Sequence, residues 1–307
     1  MNMKTPMIRP PDLKPGDRVG ILAPARKVSR DEMKPASHIL NKWGYDVVEG
    51  KHLYDEFHQF SGTDSARASD FQSMLDDESI KAIFCARGGY GSVRIIDSLD
   101  FGKFSKHPKW IVGFSDITVF HAHIHRHWNI QTLHAAMPIN FSEDGKTDSS
   151  LNSLRVILEG GNPDYSRPSH PLNREGSASG QLVGGNLSIL YNLSGTTSAV
   201  DTRGKILFIE DLDEYLYHID RMMMNLKRSG KLEGLAGMVI GGMNDMNDNS
   251  VPYGQSAYEI IAEAVSVYNF PVIFDFKSGH ISENLGLIIG GHVEMVAGDQ
   301  CTLSFSD

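Results

Sequence analysis

The chain has 307 residues, which is enough for two ordinary domains, because single hydrophobic cores usually stop growing near about 250–300 residues. With 40% hydrophobic and 22% charged residues it has the composition of a folded globular protein, which excludes the disordered and fibrous classes. Lys and Arg number 29 against 38 Asp and Glu, a net charge of -9 without any basic block, so nucleic acid is excluded as the main partner.

The cysteine count and the hydropathy pattern point to an intracellular protein. Cys85 and Cys301 are the two cysteines, too few for a disulfide framework or a thiolate zinc site. Residues 1–17 contain four prolines and several charges, with no apolar region like that of a signal peptide. No stretch of about 18 apolar residues follows. We therefore expect a cytoplasmic protein without a membrane partner.

The first half alternates short apolar runs with longer amphipathic ones, which predicts an α/β region with a parallel sheet. The predicted strands are residues 18–23, 45–48, 80–85, 110–114 and 130–134. The predicted helices are residues 29–43, 64–75, 92–98 and 116–127. The helix at 29–43 starts with a serine cap and an acidic first turn, and Pro35 is tolerable early in it.

Residues 159–180 are rich in Gly, Pro, Ser, Asn and Arg and lack apolar periodicity, which indicates a linker. We therefore predict an N-terminal domain at 1–158, a linker at 159–180 and a C-terminal domain at 181–307. The second half is predicted to be strand-rich and mixed. Its predicted strands are residues 205–209, 236–242, 271–276, 286–289, 292–296 and 301–305, and its clear helices are 187–193 and 255–267.

The segment 110–118 is the first candidate for chemistry. A buried apolar strand ends at Gly113, Ser115 follows two residues later, and an amphipathic stretch begins at once. Strand, tight turn and helix form the context of a nucleophile elbow, where the first helical amides favour an oxyanion. The second glycine of G-x-S-x-G is missing, since Ile117 stands there, and a serine here is more often a helix N-cap. Both interpretations stay open.

The loop at 87–92, Arg-Gly-Gly-Tyr-Gly-Ser, also follows a predicted strand and precedes a predicted helix. Its glycines let backbone N–H groups approach a ligand, which suits a phosphate or an oxyanion. The loop matches neither the dinucleotide pattern nor the P-loop pattern. A plain turn is an equally good interpretation.

Two later strands end in residues suited to acid–base chemistry. One runs into Glu210 and Asp211, and another runs into a loop with His280 at its tip. The simpler interpretations are a capping or solvated acid and a solvated histidine. Ser115, Glu210 and His280 follow the order nucleophile, acid, base, which many hydrolases share, although other orders are known. The residues alone favour a serine hydrolase.

Other candidates for chemistry are weaker. Four histidines alternate through residues 121–127, but on a helix they form two pairs that point in different directions, with no acid between them. Cys85 has no histidine motif nearby and is interpreted as a buried strand cysteine. The run at 244–249 lacks calcium-loop spacing. We expect neither a metal ion nor another cofactor.

Five motifs, taken together and in chain order, carry a resemblance. They are RGGYG at 87–91, GFSD at 113–116, GGNL at 184–187, ED at 210–211 and SGH at 278–280. The combination resembles the LD-carboxypeptidases, the S66 family of serine peptidases, over essentially the whole chain, and the opening PGD at 15–17 and ILAP at 21–24 also fit. One departure is HAAMP at 134–138, where the family tends to have His-Gly-Pro-Met; it touches no triad residue.

The resemblance implies a triad of Ser115, Glu210 and His280. Ser115 would be the nucleophile, His280 the general base, and Glu210 the residue that orients the imidazole and stabilises its cation. No metal is required by this chemistry.

Around the triad, the tetrahedral oxyanion would be bound by the backbone amide of Asp116 and by one from Gly88 or Gly89. A carboxypeptidase must also recognise a free terminal carboxylate, for which Arg87 is a candidate by position. A surface arginine is an equally good interpretation of Arg87.

The resemblance also implies a fold and a function. The fold would be a flavodoxin-like or amidotransferase-like parallel-sheet domain followed by a smaller strand-rich α/β domain, with the site between them. The function would be cytoplasmic murein recycling, in which terminal D-alanine is removed from a tetrapeptide after an L-centre such as meso-diaminopimelate, by an enzyme that the family suggests is a homodimer. Two alternatives are a microcin-immunity-type hydrolase of peptidyl or aminoacyl nucleotides, which would offer aromatic stacking for adenine, and a non-catalytic muropeptide-binding protein.

Overall fold

The computed structural model describes residues 7–142 and 149–306. These residues form two β-sheets with helices packed against them. Residues 1–6 of the predicted N-terminal segment lie outside the described residues. The strands are β1 (Arg18–Leu22), β2 (Asp46–Glu49), β3 (Ile80–Cys85), β4 (Trp110–Val112), β5 (Thr132–His134), β6 (Asp164–Pro168), β7 (Gly176–Asn186), β8 (Ile206–Leu212), β9 (Gly237–Asn244), β10 (Val272–Ile273), β11 (Leu287–Ile289), β12 (His292–Ala297) and β13 (Gln300–Ser306). The helices are α1 (Arg30–Lys42), α2 (Asp64–Asp76), α3 (Ser92–Ile95), α4 (Gly102–Lys106), α5 (Thr118–Trp128), α6 (Ser149–Leu158), α7 (Leu187–Asn192), α8 (Leu216–Arg228) and α9 (Ala257–Ala264). None of these described helices is both long and apolar enough to span a bilayer.

The first sheet has the strand order β11-β5-β4-β3-β1-β2. Strands β1 to β5 pair in parallel, and β11 joins the edge antiparallel to β5. The order 2-1-3-4-5 is the flavodoxin-like one, as the resemblance implied. The order reverses between β1 and β3, and in open parallel sheets ligands bind outside the carboxyl ends of the strands at this switch point.

The second sheet has the order β10-β9-β8-β7-β12-β13-β6. Strands β7 to β10 pair in parallel, and β12, β13 and β6 continue the sheet in antiparallel fashion. The predicted strand-rich, mixed second half is confirmed. The segment 159–180 contributes β6 and the start of β7, whose residues alternate between exposed and half-buried without an apolar pattern. The domain division at that segment stays a prediction.

The two sheets share a hydrophobic core. One cluster of buried residues contains Leu133 of β5, Met33 of α1, Phe208 of β8 and Leu287 of β11. The opposite face of the parallel part of the second sheet packs against α7, α8 and α9. Because the sheets are in contact, residues that follow β4 can meet residues of β8 across the interface.

Candidate active site

The chain leaves β4 through a strained turn that presents Ser115. Ser115 has φ 64°, in the left-handed region that a non-glycine residue seldom occupies. Such a conformation costs about 1–3 kcal/mol and is found mostly at functional sites. Ser115 opens the 3₁₀ turn Ser115–Ile117 before α5, and no side chain caps either element. The structure therefore does not use Ser115 as an N-cap, and the geometry is that of a strained strand-to-helix turn.

The glycine loop that follows β3 packs directly against this turn. A Cβ on Gly88 would lie 3.1 Å from Ser115 Oγ and 3.3 Å from the amide nitrogen of Asp116. The absence of a side chain at position 88 thus leaves the space in front of the serine hydroxyl open. The Asp116 carboxylate is buried and accepts a hydrogen bond from the Ser92 amide at 2.8 Å, which ties the two loops together. Burial raises the pKa of Asp116.

A buried carboxylate holds His280. Glu210 is 0% exposed, and its Oε2 accepts from His280 Nδ1 at 2.6 Å and from the His280 backbone amide at 3.1 Å. Glycines make the room for this carboxylate, because a Cβ on Gly279 would lie 2.6 Å from Glu210 Oε2 and one on Gly241 would lie 3.2 Å from Glu210 Cβ. Two donors on a single oxygen fix both the ring and the loop that carries it.

The electrostatics of this pair favour a charged imidazolium. Burial by itself would lower the pKa of His280, but the charge of Glu210, its hydrogen bond and the charge of Asp211 together raise that pKa above its ordinary value of 6.5. Burial, followed by the charge of Glu210, raises the pKa of Asp211 to about 7. The Phe114 ring lies 4.7 Å from the His280 ring, centroid to centroid, and limits its movement on one side.

Ser115 and His280 border one pocket of about 540 Å³. Its walls carry opposite charges, with Arg26 and Arg87 on the loops after β1 and β3, and Glu214 after β8. The other lining residues are Gly88, Gly89, Phe114, Asp116, Met137, Ile139, Asn140, Asn186, Ser188, Ile189, Asp211, Leu212 and Asp213. A second pocket of about 470 Å³ adjoins the first and shares Phe114, Asn140, Leu212 and His280 with it.

The structure brings the predicted site residues together around this pocket. Ser115, His280, Asp116, Gly88, Gly89 and Arg87 line it. Glu210 lies behind the imidazole and does not reach the pocket wall. In residues 7–142 and 149–306, Ser115 Oγ and His280 are not hydrogen-bonded to each other, and in unliganded hydrolases such catalytic contacts are often loose.

The sequence analysis missed several pocket residues, among them Arg26, Asn140 and Glu214. None belongs to the five motifs used above. The one available signal was position: Arg26 closely follows the first strand, and in a parallel sheet the carboxyl ends of the strands form the ligand-binding edge.

The alternating histidines of α5 have separate contacts. His121 Nε2 bonds to the Gly113 carbonyl at 2.9 Å, and His123 Nδ1 bonds to Ser198 Oγ at 2.7 Å. Burial lowers the pKa of both histidines to about 4. The described residues contain no group of three or more side chains placed to hold a metal ion, and Cys85 is a buried free thiol.

A serine in a left-handed strand-to-helix turn that shares a pocket with a carboxylate-bound histidine is typical of serine hydrolases. Comparison with known families makes the class specific. The LD-carboxypeptidase N-terminal domain of the S66 peptidases matches residues 19–135, and the LD-carboxypeptidase C-terminal domain matches residues 179–295. The chain therefore belongs to the LD-carboxypeptidase family and is a peptidase, as the five motifs predicted.

Individual relatives agree with this family. The chain is 34% identical over 290 residues to the "probable murein peptide carboxypeptidase" of Bacillus subtilis, covering 94% of this chain and 91% of the relative. It is 28% identical to the murein tetrapeptide carboxypeptidase of Pseudomonas aeruginosa, covering 87% and 89%.

Among solved structures, the muramoyltetrapeptide carboxypeptidase of Oxalobacter formigenes superposes with a TM-score of 0.87 at 26% identity, over 94% of this chain and 99% of that one. The microcin C7 self immunity protein MccF, in complex with aspartyl sulfamoyl adenosine, reaches the same TM-score at 21% identity over 98% of each chain. At that identity the second likeness concerns the fold alone.

Proposed function

We propose that the protein is a serine carboxypeptidase that hydrolyses the L,D-peptide bond of murein tetrapeptides and releases their terminal D-alanine. The observation that carries the proposal is that His280, hydrogen-bonded to the buried Glu210, lines the same pocket as Ser115. The murein-directed relatives support the substrate class. An intact acid–base pair beside a strained serine argues against a protein that only binds muropeptides.

In the first half of the reaction, Ser115 Oγ attacks the scissile carbonyl carbon while His280 Nε2 takes the hydroxyl proton. Glu210 keeps the proton on Nδ1 and stabilises the imidazolium. The C–N bond then breaks as His280 gives its proton to the leaving D-alanine nitrogen. In the second half, His280 deprotonates a water that attacks the acyl carbon. The ester C–Oγ bond then breaks, the shortened peptide leaves, and His280 returns the proton to Ser115 Oγ.

The tetrahedral oxyanion forms next to Gly88, whose missing side chain leaves room beside Ser115 Oγ. The backbone amide of Asp116 is one donor, and that of Gly88 or Gly89 is the other. Each such donor is worth about 10²–10³ in rate. The hydrogen bond from the Ser92 amide to the Asp116 carboxylate, at 2.8 Å, keeps the glycine loop and the serine turn in a fixed relation.

The charges of the pocket support a dipolar peptide as substrate. Arg26 and Arg87 suit carboxylates, whereas Asp213 and Glu214 suit an amine. A tetrapeptide with a terminal carboxylate and a diamino acid before it carries both groups. A nucleotide substrate would need an aromatic surface, and Phe114, which packs on His280, is the one Phe, Tyr or Trp in the described lining.

The role in peptidoglycan recycling, the cytoplasmic location and a homodimer belong to the same proposal. They rest on the resemblance to murein carboxypeptidases. Chromatographic mass measurement of the purified protein would decide between a monomer and a dimer.

The test is stereochemical. The purified protein is incubated with an L,D-bonded tetrapeptide, with the D,D-bonded pentapeptide and with an aminoacyl sulfamoyl adenosine, and the released amino acid is quantified. We expect D-alanine from the tetrapeptide and little release from the other two, because a 1 Å misplacement can cost about 10² in rate. Comparable rates on tetrapeptide and pentapeptide would contradict the L,D assignment. Preferred cleavage of the adenosine conjugate would replace it with the microcin-immunity type of activity.

A further inference from the structure

Arg26 occupies a special position in the pocket. It closely follows β1, on the loop beside the switch point of the first sheet, and it lines the pocket together with Ser115 and His280. Its backbone amide donates to the Gly88 carbonyl at 3.3 Å. The base of its side chain is therefore fixed to the same loop that packs on the serine.

The two adjacent glycines relate Arg26 to Ser115. A Cβ on Gly88 would lie 3.0 Å from Ser115 Cβ, whereas a Cβ on Gly89 would lie 2.6 Å from Arg26 Cδ and 2.9 Å from Arg26 Nε. Gly89 has φ +105°, a left-handed conformation that favours glycine. The Arg26 side chain thus lies across Gly89, one residue further along the loop than the glycine that contacts the nucleophile.

The spacing between Ser115 and Arg26 along the loop matches the length of the single residue that a carboxypeptidase releases. Consecutive Cα atoms are about 3.8 Å apart, so Arg26 stands about one residue beyond the point where Ser115 meets the loop. In a substrate that ends one residue after the scissile bond, the terminal carboxylate also lies about one residue beyond the scissile carbonyl carbon. An endopeptidase substrate would have a further peptide bond there, which offers no charge to a guanidinium.

Arg87 is less free to serve this purpose. Its Nη1 lies 3.8 Å from Glu32 Oε1, and Glu32 is fixed by the capping box at the start of α1. In residues 7–142 and 149–306, no carboxylate lies within salt-bridge distance of Arg26. The guanidinium of Arg26 therefore has its charge available for a substrate.

We infer that Arg26 is the residue that binds the terminal carboxylate of the substrate and so determines exopeptidase specificity. The inference rests on the proposed function, and it gives Arg26 the role for which the sequence analysis named Arg87 as a candidate. A planar guanidinium binds a carboxylate through paired hydrogen bonds, which a lysine cannot reproduce.

The test compares a tetrapeptide with its C-terminal amide in wild type, Arg26→Gln, Arg26→Lys and Arg87→Gln. Arg30→Gln is the matched control, since Arg30 is exposed, pairs with Glu49 and does not line the pocket. Release of D-alanine or D-alaninamide gives kcat/KM for each peptide. We expect wild type to prefer the acid by about 10- to 100-fold, the worth of a charged hydrogen bond. Arg26→Gln loses this preference, Arg26→Lys retains part of it, and Arg87→Gln and Arg30→Gln keep it.

A second measurement does not depend on turnover. Calorimetry gives the binding of both peptides to Ser115→Ala and to the double variant Ser115→Ala/Arg26→Gln. If wild type releases nothing from either peptide, the proposed function fails, while an Arg26-dependent preference in binding still supports the inference. If Arg26→Gln keeps the preference for the acid in rate and in binding, the inference is wrong. If Arg87→Gln loses it instead, the carboxylate is bound by Arg87.

Discussion

Replacing Glu210 by glutamine keeps the size of the side chain and removes its charge. The same oxygen, Oε2, accepts from both His280 Nδ1 and the His280 backbone amide. The glutamine should therefore turn its carbonyl oxygen toward His280, so the imidazole keeps its tautomer and loses only the charge that stabilises its cation. Its NH₂ group would then replace Oε1, a buried atom without a hydrogen-bond partner among the described residues.

The magnitude follows from these contacts. A hydrogen bond to a charged group is worth about 1.5–3 kcal/mol, so Glu210→Gln should lower kcat by about 10- to 100-fold, less than the roughly 10⁴-fold that follows when the tautomer is lost too. His280→Ala should cost more, because the base itself is removed. An unpaired buried NH₂ should also lower the free energy of unfolding by about 1–3 kcal/mol.

The pH dependence gives an independent readout. The base must be unprotonated, so kcat/KM rises as His280 loses its proton. Since Glu210 raises the pKa of His280 above 6.5, the acid limb of wild type should lie above pH 6.5, and in Glu210→Gln it should move to lower pH. The raised pKa also means that the pair stabilises the fold fully below about pH 6.5, and that this stabilisation disappears as the pH rises through the pKa of folded His280.

The assay is D-alanine release from a tetrapeptide between pH 5 and 9, together with thermal unfolding at each pH. Asp211→Asn is the matched control, because Asp211 is equally buried in the same strand but has no hydrogen bond to His280. It should shift the acid limb less. An acid limb that stays in place in Glu210→Gln, or a loss of activity equal to that of His280→Ala, would refute the assigned roles.

Three further predictions concern the nucleophile, the glycines and metal ions. Ser115→Ala should abolish turnover and leave the fold intact, and residual activity above a few per cent of wild type would remove Ser115 as nucleophile. Gly279→Ala should lower both Tm and kcat, because its Cβ would lie 2.6 Å from Glu210 Oε2. The control Gly254→Ala, at φ +91° with no atom within 4 Å, should cost only the left-handed strain of about 1–2 kcal/mol. Equal losses of Tm and kcat in the two variants would contradict this prediction. EDTA should leave D-alanine release unchanged, and a loss that zinc restores would contradict a metal-free mechanism.

The sequence predicts the first sheet well because β1, β3 and β4 are mostly apolar runs with buried side chains. Strands β6 and β7 escaped prediction. Strand β6 alternates between exposed and half-buried positions at the edge of the second sheet. Strand β7 lies inside that sheet, but its first half is mostly exposed and glycines interrupt its buried second half. Helix α8 was also missed, although its buried residues Ile219, Met222, Met223 and Leu226 follow helical spacing. Predicted strand 271–276 is reduced to β10, which has two residues.

The site was predicted unevenly for a physical reason. Ser115, Glu210 and His280 could be named from motifs, but the 2.6 Å contact joins residues that are 70 positions apart, and spacing alone cannot predict such a contact. The left-handed backbone of Ser115 is likewise set by the packing of two loops. Arg26 belongs to no motif, because its role depends on which loop lies across Gly89 after folding.

The GGNL motif shows how residues outside the proposed triad can still characterise this site. A Cβ on Gly184 would lie 1.9 Å from the Phe208 carbonyl oxygen, and one on Gly185 would lie 2.5 Å from Thr118 Oγ1. The Asn186 amide donates to Thr118 Oγ1 at 3.0 Å, and its side chain donates to Asp211 Oδ1 at 2.9 Å. Thr118 lies at the start of α5, just after the serine turn, and Asp211 is next to Glu210. These contacts therefore fix the position of the strand that carries Glu210 relative to the turn that carries Ser115. Proton transfer from Ser115 to His280 requires that these two elements stay in place.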